Sequence, residues 1–402
     1  MVRALELDSR GDDVTFLQAA LNAVQPPGAE PLLLDGHLGP VTAGVVEDFQ
    51  RSSGLPVDGE AGPRTWTALL GRPVTATTGF FVLGRDLYDR FGTRVVLRGV
   101  NKMSVFDLED AEGRISFPEI RKTGANSVRI VWAITQNLAP GGAATSPARL
   151  DALVTAALDN HLIPMVELHD ATGAWDRLDD LVDHWTQPAV LEVVARHTPH
   201  LLVNIGNEVG DDTVTAAQFA DGYRRAVAAL RTAGIHTPLV IDSADWGKDL
   251  ALLNGTATGL LADDPDGNLL FSVHLYWSVA CGFDSARIGT ELQAAVTVGY
   301  PLIVGEFAGF GGFPCGAPAG TSPCSADGRI DHDAILAACD RHGLGWYAWE
   351  WGPGNAFFDP ACSNLDMSTD RTFAGLQQGW ATEVATTSPH GIASTAVTPA
   401  WL

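Results

Sequence analysis

From about residue 80 onward the chain alternates short β-rich apolar runs with amphipathic stretches. That alternation narrows the possible folds more than any other feature. The runs, in order, are VVLRGVN (95–101), NSVRIVW (126–132), IPMVELHD (163–170), LLVNIGNE (201–208), PLVIDSA (238–244), LLFSVHLY (269–276), PLIVGEF (301–307) and GWYAWEW (345–351). Continuous apolar runs of this length read as strands covered on both faces. Among the intervening segments, ARLDALVTAALDN, TAAQFADGYRRAVAALRTAG and DHDAILAACDRHG space their apolar residues at the helical period. Each starts near Ser, Thr or Asp and stops near Gly or Asn, as capped helices do. Strands alternating with helices make a parallel sheet. Eight of them predict an α/β chain forming a (β/α)8 TIM barrel. A doubly wound open sheet fits less well, because no Gly-rich phosphate loop follows the first run.

The first 71 residues have a different texture. Two near-repeats, DGHLGPVT (35–42) and DGEAGPRT (58–65), pair an Asp-Gly turn with a Gly-Pro-x-Thr helix entry. Helix-like segments VTFLQAALNAV, AGVVEDFQRSSG and WTALLG surround them. The expected organisation is a small three-helix domain over residues 1–71, a Thr- and Gly-rich linker over 72–84, and the barrel over 85–402. GDDVTFLQAALN, followed by LDGHLGPVTAGVVEDFQRSSGLPVDGEAGPRTW, resembles the peptidoglycan-binding-like domain carried by many bacterial wall enzymes. The resemblance covers residues 5–70. It implies a three-helix fold and attachment to a bacterial cell wall through residues 1–71.

In parallel barrels the active site lies at the C-terminal ends of the strands. Here those ends carry Arg129 and Trp132; Glu167, His169 and Asp170; Asn207 and Glu208; Asp242, Asp245 and Trp246; His274, Tyr276 and Trp277; Glu306; and Trp349, Glu350 and Trp351. A carboxylate ending a buried strand is costly without a partner or a task. Glu208 and Glu306 end the fourth and seventh runs, which face each other across a barrel. Two carboxylates about 5–5.5 Å apart cleave a glycosidic bond with retention, whereas inversion needs about 6.5–9.5 Å. For either glutamate alone, an ion pair with Arg129 is the plainer explanation.

The motifs RGVN (98–101), NSVRIVW, VELHDATG (166–173), NIGNE (204–208), HLYW (274–277), GEF (305–307) and WEW (349–351) resemble glycoside hydrolase family 5. The resemblance implies that Glu208 is the acid/base and Glu306 the nucleophile. It implies that Arg129 keeps the nucleophile ionised, Asn207 bonds the sugar 2-hydroxyl, and His169 and His274 shape the subsite. Tyr276 would stand beside the nucleophile and Trp349 beneath the sugar at the cleavage point. Trp246, Trp277 and Trp351 are candidates to stack on sugar faces or to close the barrel top, as is Trp132. Trp66 and Trp380 read as packing. MVELHDATG, VNIGNE, DSADWGKDL, LDMSTD (365–370) and SPHGIASTA (388–396) look most like the bacterial β-mannanase group, subfamily 8. The implied activity is a retaining endo-β-1,4-mannanase. The alternatives are a β-1,4-glucanase of the same family and a non-catalytic glycan-binding wall protein. Two features depart from that group: Glu350 in place of its usual serine, and a long loop over 309–328 with two cysteines.

The chain has 402 residues with 25 basic against 48 acidic side chains, a formal charge of −23. Such a surface repels nucleic acid and anionic lipid and suits a neutral partner such as a β-linked mannan or glucan. No apolar run approaches a membrane span. Cys281, Cys315, Cys324 and Cys362 lie in loops, and Cys339 lies in a helical pattern. Loop cysteines of this kind fit two disulfides and a secreted, wall-associated protein, with the pairing open. No cofactor and no metal site is expected, the acidic turn ADDPDGN (262–268) reads as solvated, and a monomer is the default.

Overall fold

The computed structural model describes residues 1–134, 145–311 and 328–402. At the N-terminus, helices α1 (Asp12–Val24), α2 (Pro40–Ser52) and α3 (Pro63–Leu70) enclose a small core of Val14, Leu17, Leu21, Val46 and Trp66. The near-repeat has a structural cause, because each copy wraps a buried glutamine. Gln18 Nε2 donates to Asp35 Oδ1 (2.8 Å), the His37 carbonyl (3.1 Å) and Thr42 Oγ1 (3.2 Å). Gln50 Nε2 makes the same set to Asp58 Oδ1 (2.6 Å), the Glu60 carbonyl (2.9 Å) and Thr65 Oγ1 (3.1 Å). Pro40 and Pro63 then open α2 and α3, where a missing N–H costs nothing.

Next comes a three-stranded antiparallel meander of β1 (Phe81–Leu83), β2 (Asp86–Tyr88) and β3 (Arg94–Val95). Part of the stretch expected as a linker is therefore strand. Its side chains alternate between two cores. Phe81, Leu83 and Tyr88 face the N-terminal helices, while Phe80, Val82, Leu87 and Val95 join the floor of the barrel. The stretch missed from sequence is a layer shared by both units, too short for its period of two to stand out.

The barrel is closed. Strands β4 (Arg98–Lys102), β5 (Ser127–Trp132), β6 (Ile163–Leu168), β7 (Leu202–Asn204), β8 (Leu239–Asp242), β9 (Leu269–His274), β10 (Leu302–Glu306) and β11 (Gly345–Ala348) pair in parallel, with β11 returning to β4. Alternate residues point outward against the surrounding helices: Val128 and Ile130 on β5, Val166 and Leu168 on β6, Phe271 and Val273 on β9. The inward residues form layers. Ile163, Met165, Leu202, Val240, Leu270, Ile303 and Tyr347 pack the lower interior. Above them the interior turns polar, with Asn101, Arg129, Glu167, Asn204 and Asp242 all buried.

The clearest helices of the sequence form as expected. They are α5 (Pro147–Asp159), capped by Ser146, α8 (Ala216–Thr232) and α11 (His332–His342); the remaining barrel helices include a short α4 (Ser116–Arg121), α6 (Leu178–Trp185), α7 (Pro188–His197), α9 (Leu250–Asp263) and α10 (Ser285–Val298). Thr215 and Gln218 make a capping box at α8, and α11 runs from Asp331 to a left-handed Gly343.

The acidic turn at 262–268 is not a solvated loop. Asp264 and Asp266 are buried, and Asp264 takes two hydrogen bonds from Arg231 (2.9 and 3.0 Å). Asn268 carries the meander: its Oδ1 accepts from Val82 N (2.9 Å). Cys339 is a buried free thiol; Cys315 and Cys324 lie outside the described residues. Among the described residues no helix is long and apolar enough to cross a membrane.

Candidate active site

Arg129 stands on β5 in the barrel axis with no exposed surface. Its guanidinium reaches five acceptors: Asn204 Oδ1 (3.1 Å), Asn101 Oδ1 (2.9 Å), Glu306 Oε1 (2.8 Å), Asn207 Oδ1 (2.8 Å) and Asp242 Oδ2 (3.1 Å). Burial alone would weaken its hold on a proton, but the carboxylates of Asp242, Glu167, Glu306 and Glu208 outweigh that and raise it. A permanent cation with a planar fork is suited to this position.

Glu306 ends β10 and is almost fully buried. Oε1 accepts from Arg129, and Oε2 accepts from the Tyr276 hydroxyl (2.8 Å). Burial pushes its carboxyl above the ordinary range, opposed by His274 and Arg129 and reinforced by Glu208. Glu208 lies just past the end of β7 in a left-handed conformation (φ 47°). Its backbone is held on both sides, since Glu208 N donates to Asp242 Oδ2 (3.2 Å) and Gly173 N donates to the Glu208 carbonyl (2.8 Å). His274 Nδ1 meets Glu208 Oε1 at 2.7 Å and lies 3.6 Å from Glu306 Oε1. One oxygen of each glutamate and a His274 nitrogen all lie within 4.8 Å of one another.

His274 is the electrostatic bridge. Burial alone would lower its pKa, but Glu306, Asp242 and the hydrogen bonds to Asp242 and Glu208 raise it to about 10. Glu208, His274 and Glu306 have ligand-like spacing, and His274 joins the two carboxylates by contacts of 2.7 and 3.6 Å. A second such cluster, His332, Asp333 and Glu383, sits at the surface around a 2.7 Å ion pair.

Asn207 is fixed at both ends of its amide, with Oδ1 accepting from Arg129 and Nδ2 donating to Thr172 Oγ1 (3.0 Å). His169 binds buried Glu167 (2.9 Å) and stacks on Trp349 with ring centroids 6.1 Å apart. Its pKa is raised, because the Glu167 carboxylate overcomes the opposing effect of burial. Trp246 is 41% exposed beside Gly173, where a side chain would collide with the indole nitrogen. The Lys248 ammonium lies 5.4 Å from its ring centroid, and the rest of its exposed surface is open to a ligand.

Two of the tryptophans expected at the substrate lie buried, as does Trp349 at 7% exposure. Trp351 has no exposed surface, and its indole N–H donates to the Arg371 carbonyl (2.8 Å). Trp277 is 6% exposed and stacks on Phe283 at 4.7 Å. Both follow strand ends, where the alternation that decides in from out has stopped. Trp132 is also buried against the helices. The residues that sequence reading passed over are partners: Asn101 and Asn204 around Arg129, and Thr172 behind Asn207; Asp242 was named at its strand end but given no role. Asn101 stood within the RGVN motif, and Asp242 ends strand β8.

A parallel barrel that sets two glutamates from facing strands this close together, over a buried arginine, has the site of a glycoside hydrolase. A family model described as Cellulase (glycosyl hydrolase family 5) matches residues 89–355, and one for a peptidoglycan binding domain matches residues 10–69. The mannan endo-1,4-beta-mannosidase of Streptomyces lividans is 32% identical over 300 residues, 72% of this chain and 71% of that protein. That of Cellvibrio japonicus is 28% identical over 313 residues, 76% of this chain and 66% of its own length. The solved beta-mannanase from Streptomyces thermolilacinus with mannohexaose superposes with a TM-score of 0.67 at 32% identity, covering 80% of this chain and 97% of that one. The chain belongs to glycosyl hydrolase family 5.

Proposed function

We propose that the protein is a retaining endo-β-1,4-mannanase in which Glu306 is the nucleophile and Glu208 the acid/base. The observation that carries this is that an oxygen of Glu208 and an oxygen of Glu306 lie within 4.8 Å of each other, in keeping with the short carboxyl separation of double displacement. Glu306, held by Arg129 and Tyr276, attacks the anomeric carbon and forms a glycosyl-enzyme ester. Glu208 gives its proton to the departing glycosidic oxygen. It then takes a proton from the water that hydrolyses the ester and is restored. His274 engages one Glu208 oxygen and leaves the other for the leaving group. Asn207, with its amide fixed, meets the 2-hydroxyl, and Trp349 forms the floor under the sugar. The choice of mannan rests on the printed activities of the relatives above and on the sequence stretches shared with that group.

The N-terminal domain would hold the enzyme at a bacterial wall outside the cell. Disulfides at the loop cysteines, Cys281 and Cys362 among them, would suit that compartment, with Cys339 left as the free thiol. Mass spectrometry of alkylated protein is expected to find one reactive thiol after denaturation. Five would reject the disulfides and weaken the case for secretion.

The deciding experiment measures product release from mannan, galactomannan, glucomannan, cellulose and cellohexaose, with wild type, Glu208→Ala and Glu306→Ala. Release from the mannans should fall to background in Glu306→Ala and by roughly 10²–10⁴-fold in Glu208→Ala. Release from glucans alone would overturn the sugar and keep the mechanism. Undiminished release in Glu306→Ala would overturn the nucleophile.

A further inference from the structure

Behind Trp349 lies a buried polar cluster that the reaction above does not use. Glu350, Asp366, Asn355, Lys102 and Asp107 are each at most 4% exposed. The backbones of 350 and 365–367 are laced together, with Glu350 N donating to the Leu365 carbonyl (3.0 Å) and Met367 N to the Glu350 carbonyl (2.8 Å). This sets the Glu350 and Asp366 side chains beside each other, and the Asp366 carboxyl helps raise that of Glu350. Asp366 accepts from Asn355 N (3.0 Å), Asn355 Nδ2 (2.9 Å) and Ala356 N (3.0 Å). Asn355 in turn accepts from the Trp349 indole N–H (3.2 Å). Glu350 Oε1 accepts from Gly354 N (2.8 Å), and any side chain at Gly354 would come within 2.9 Å of that oxygen.

The charges decide who holds the proton. Lys102 pairs with Asp107, and Arg371 binds the same carboxylate at 2.7 Å. Both cations are engaged by Asp107, and Arg371 also by Glu109 (3.0 Å), so among the described residues neither lies within ion-pair distance of Glu350 or Asp366. Asp366 takes three hydrogen bonds against two on Glu350, from Gly354 N and Met103 N (3.4 Å), so a shared proton is better placed on Glu350, whose O–H would donate to Asp366. Two ionised carboxylates in contact away from water would repel strongly.

We propose that protonated Glu350 is a positioning residue, which through Asp366 and Asn355 holds Trp349 flat beneath the sugar at the cleavage point. The proposal rests on the reading of Trp349 as the floor of that subsite. Burial and Asp366 hold the Glu350 proton up to about pH 8, with Lys102 opposing. The groups that face Glu350 are Asp366 on the following loop, Lys102 and Asp107 from β4 and its loop, Arg371 beyond them, and His169 with Glu167 across the Trp349 ring. Above that pH the pair repels, Asn355 loses its fixed acceptor, and the indole is released.

The test is the pH dependence of KM and kcat on mannohexaose between pH 6 and 9.5, with folding checked by thermal melts. Wild-type KM should climb about tenfold per pH unit once Glu350 ionises. Glu350→Gln keeps a donor to Asp366 with no proton to lose, so its KM should stay flat across the range. Glu350→Ser should lose about tenfold in kcat/KM at pH 7, with Glu350→Gln recovering most of that loss. A wild-type KM that is flat with pH, or the same alkaline limb in Glu350→Gln, would overturn the proposal. If Glu350→Ser fails to fold, the Glu350→Gln profile decides alone. Trp349→Ala separates the two levels: an unchanged KM there would remove the subsite reading itself. A raised KM there, with an unaltered Glu350→Gln profile, would remove only the relay.

Discussion

Tyr276 and Arg129 divide the work on Glu306, one at each carboxylate oxygen. The arginine supplies charge, and the tyrosine supplies a single O–H whose removal leaves the shape intact. Tyr276→Phe should therefore lower kcat/KM by roughly 10–100-fold, the worth of a hydrogen bond to a charged group. The pH profile fixes the sign. Glu306 must be ionised to attack, and burial already holds its carboxyl above the usual range against His274 and Arg129. Withdrawing a donor from the anion raises it further, so the acid limb of kcat/KM should move to higher pH. A limb that stays put, measured on a soluble mannooligosaccharide, would mean that another group sets it. At this scale the sequence was readable wherever a polar residue interrupted or ended an apolar run: Arg129 within its run, and Asn207, Glu208 and Glu306 near the ends of theirs, all meet in space. It was unreadable where contact depends on a distant loop. Asn355 and Asp366 lie beyond the last strand with no periodicity to place them. Trp277 and Trp351 resemble their exposed neighbour Trp246 in type and differ only in direction.

Among the elements, the barrel strands and the capped helices followed from pattern, whereas the meander did not. Three strands of two or three residues carry too few alternations to be told from a linker. The turns of the N-terminal domain were visible as a repeat, but the residue that makes them necessary was not. Gln50 satisfies both sides of its turn, donating to three oxygens and accepting from Asp58 N and Gly59 N (3.0 Å each). Leucine fills similar space and satisfies none of them. Gln50→Leu should destabilise the N-terminal domain by about 2–3 kcal/mol, the cost of leaving buried polar groups unpaired. Urea unfolding followed through the environment of Trp66, which packs in that domain's core, is the measurement. A midpoint equal to wild type would show that the loop rearranges to recover its partners.

At the scale of the whole molecule, the meander makes the N-terminal helices a continuation of the barrel floor. Asp12 accepts from Arg94 N (2.9 Å), Asp13 N donates to the Gly92 carbonyl (3.1 Å), and Phe81, Leu83 and Tyr88 are buried in the helical core. The glutamates sit at the other end of the strands, so the proposed wall-binding surface and the catalytic rim belong to opposite ends of one body. Two consequences can be separated. Deleting residues 1–71 strips cover from three large apolar side chains. The truncated chain should melt about 5 °C or more below the full chain, while still cleaving soluble mannooligosaccharide below its melting range. The full chain adsorbed on purified cell wall should cleave that oligosaccharide at nearly its free-solution rate, because a polymer under the helices does not cover the rim. The truncated chain should stay in the supernatant. Retention of the truncated chain on the wall would assign attachment to the barrel. Adsorption that abolishes turnover would mean that the wall binds across the rim, and the division of the molecule into a holding end and a cutting end would have to be abandoned.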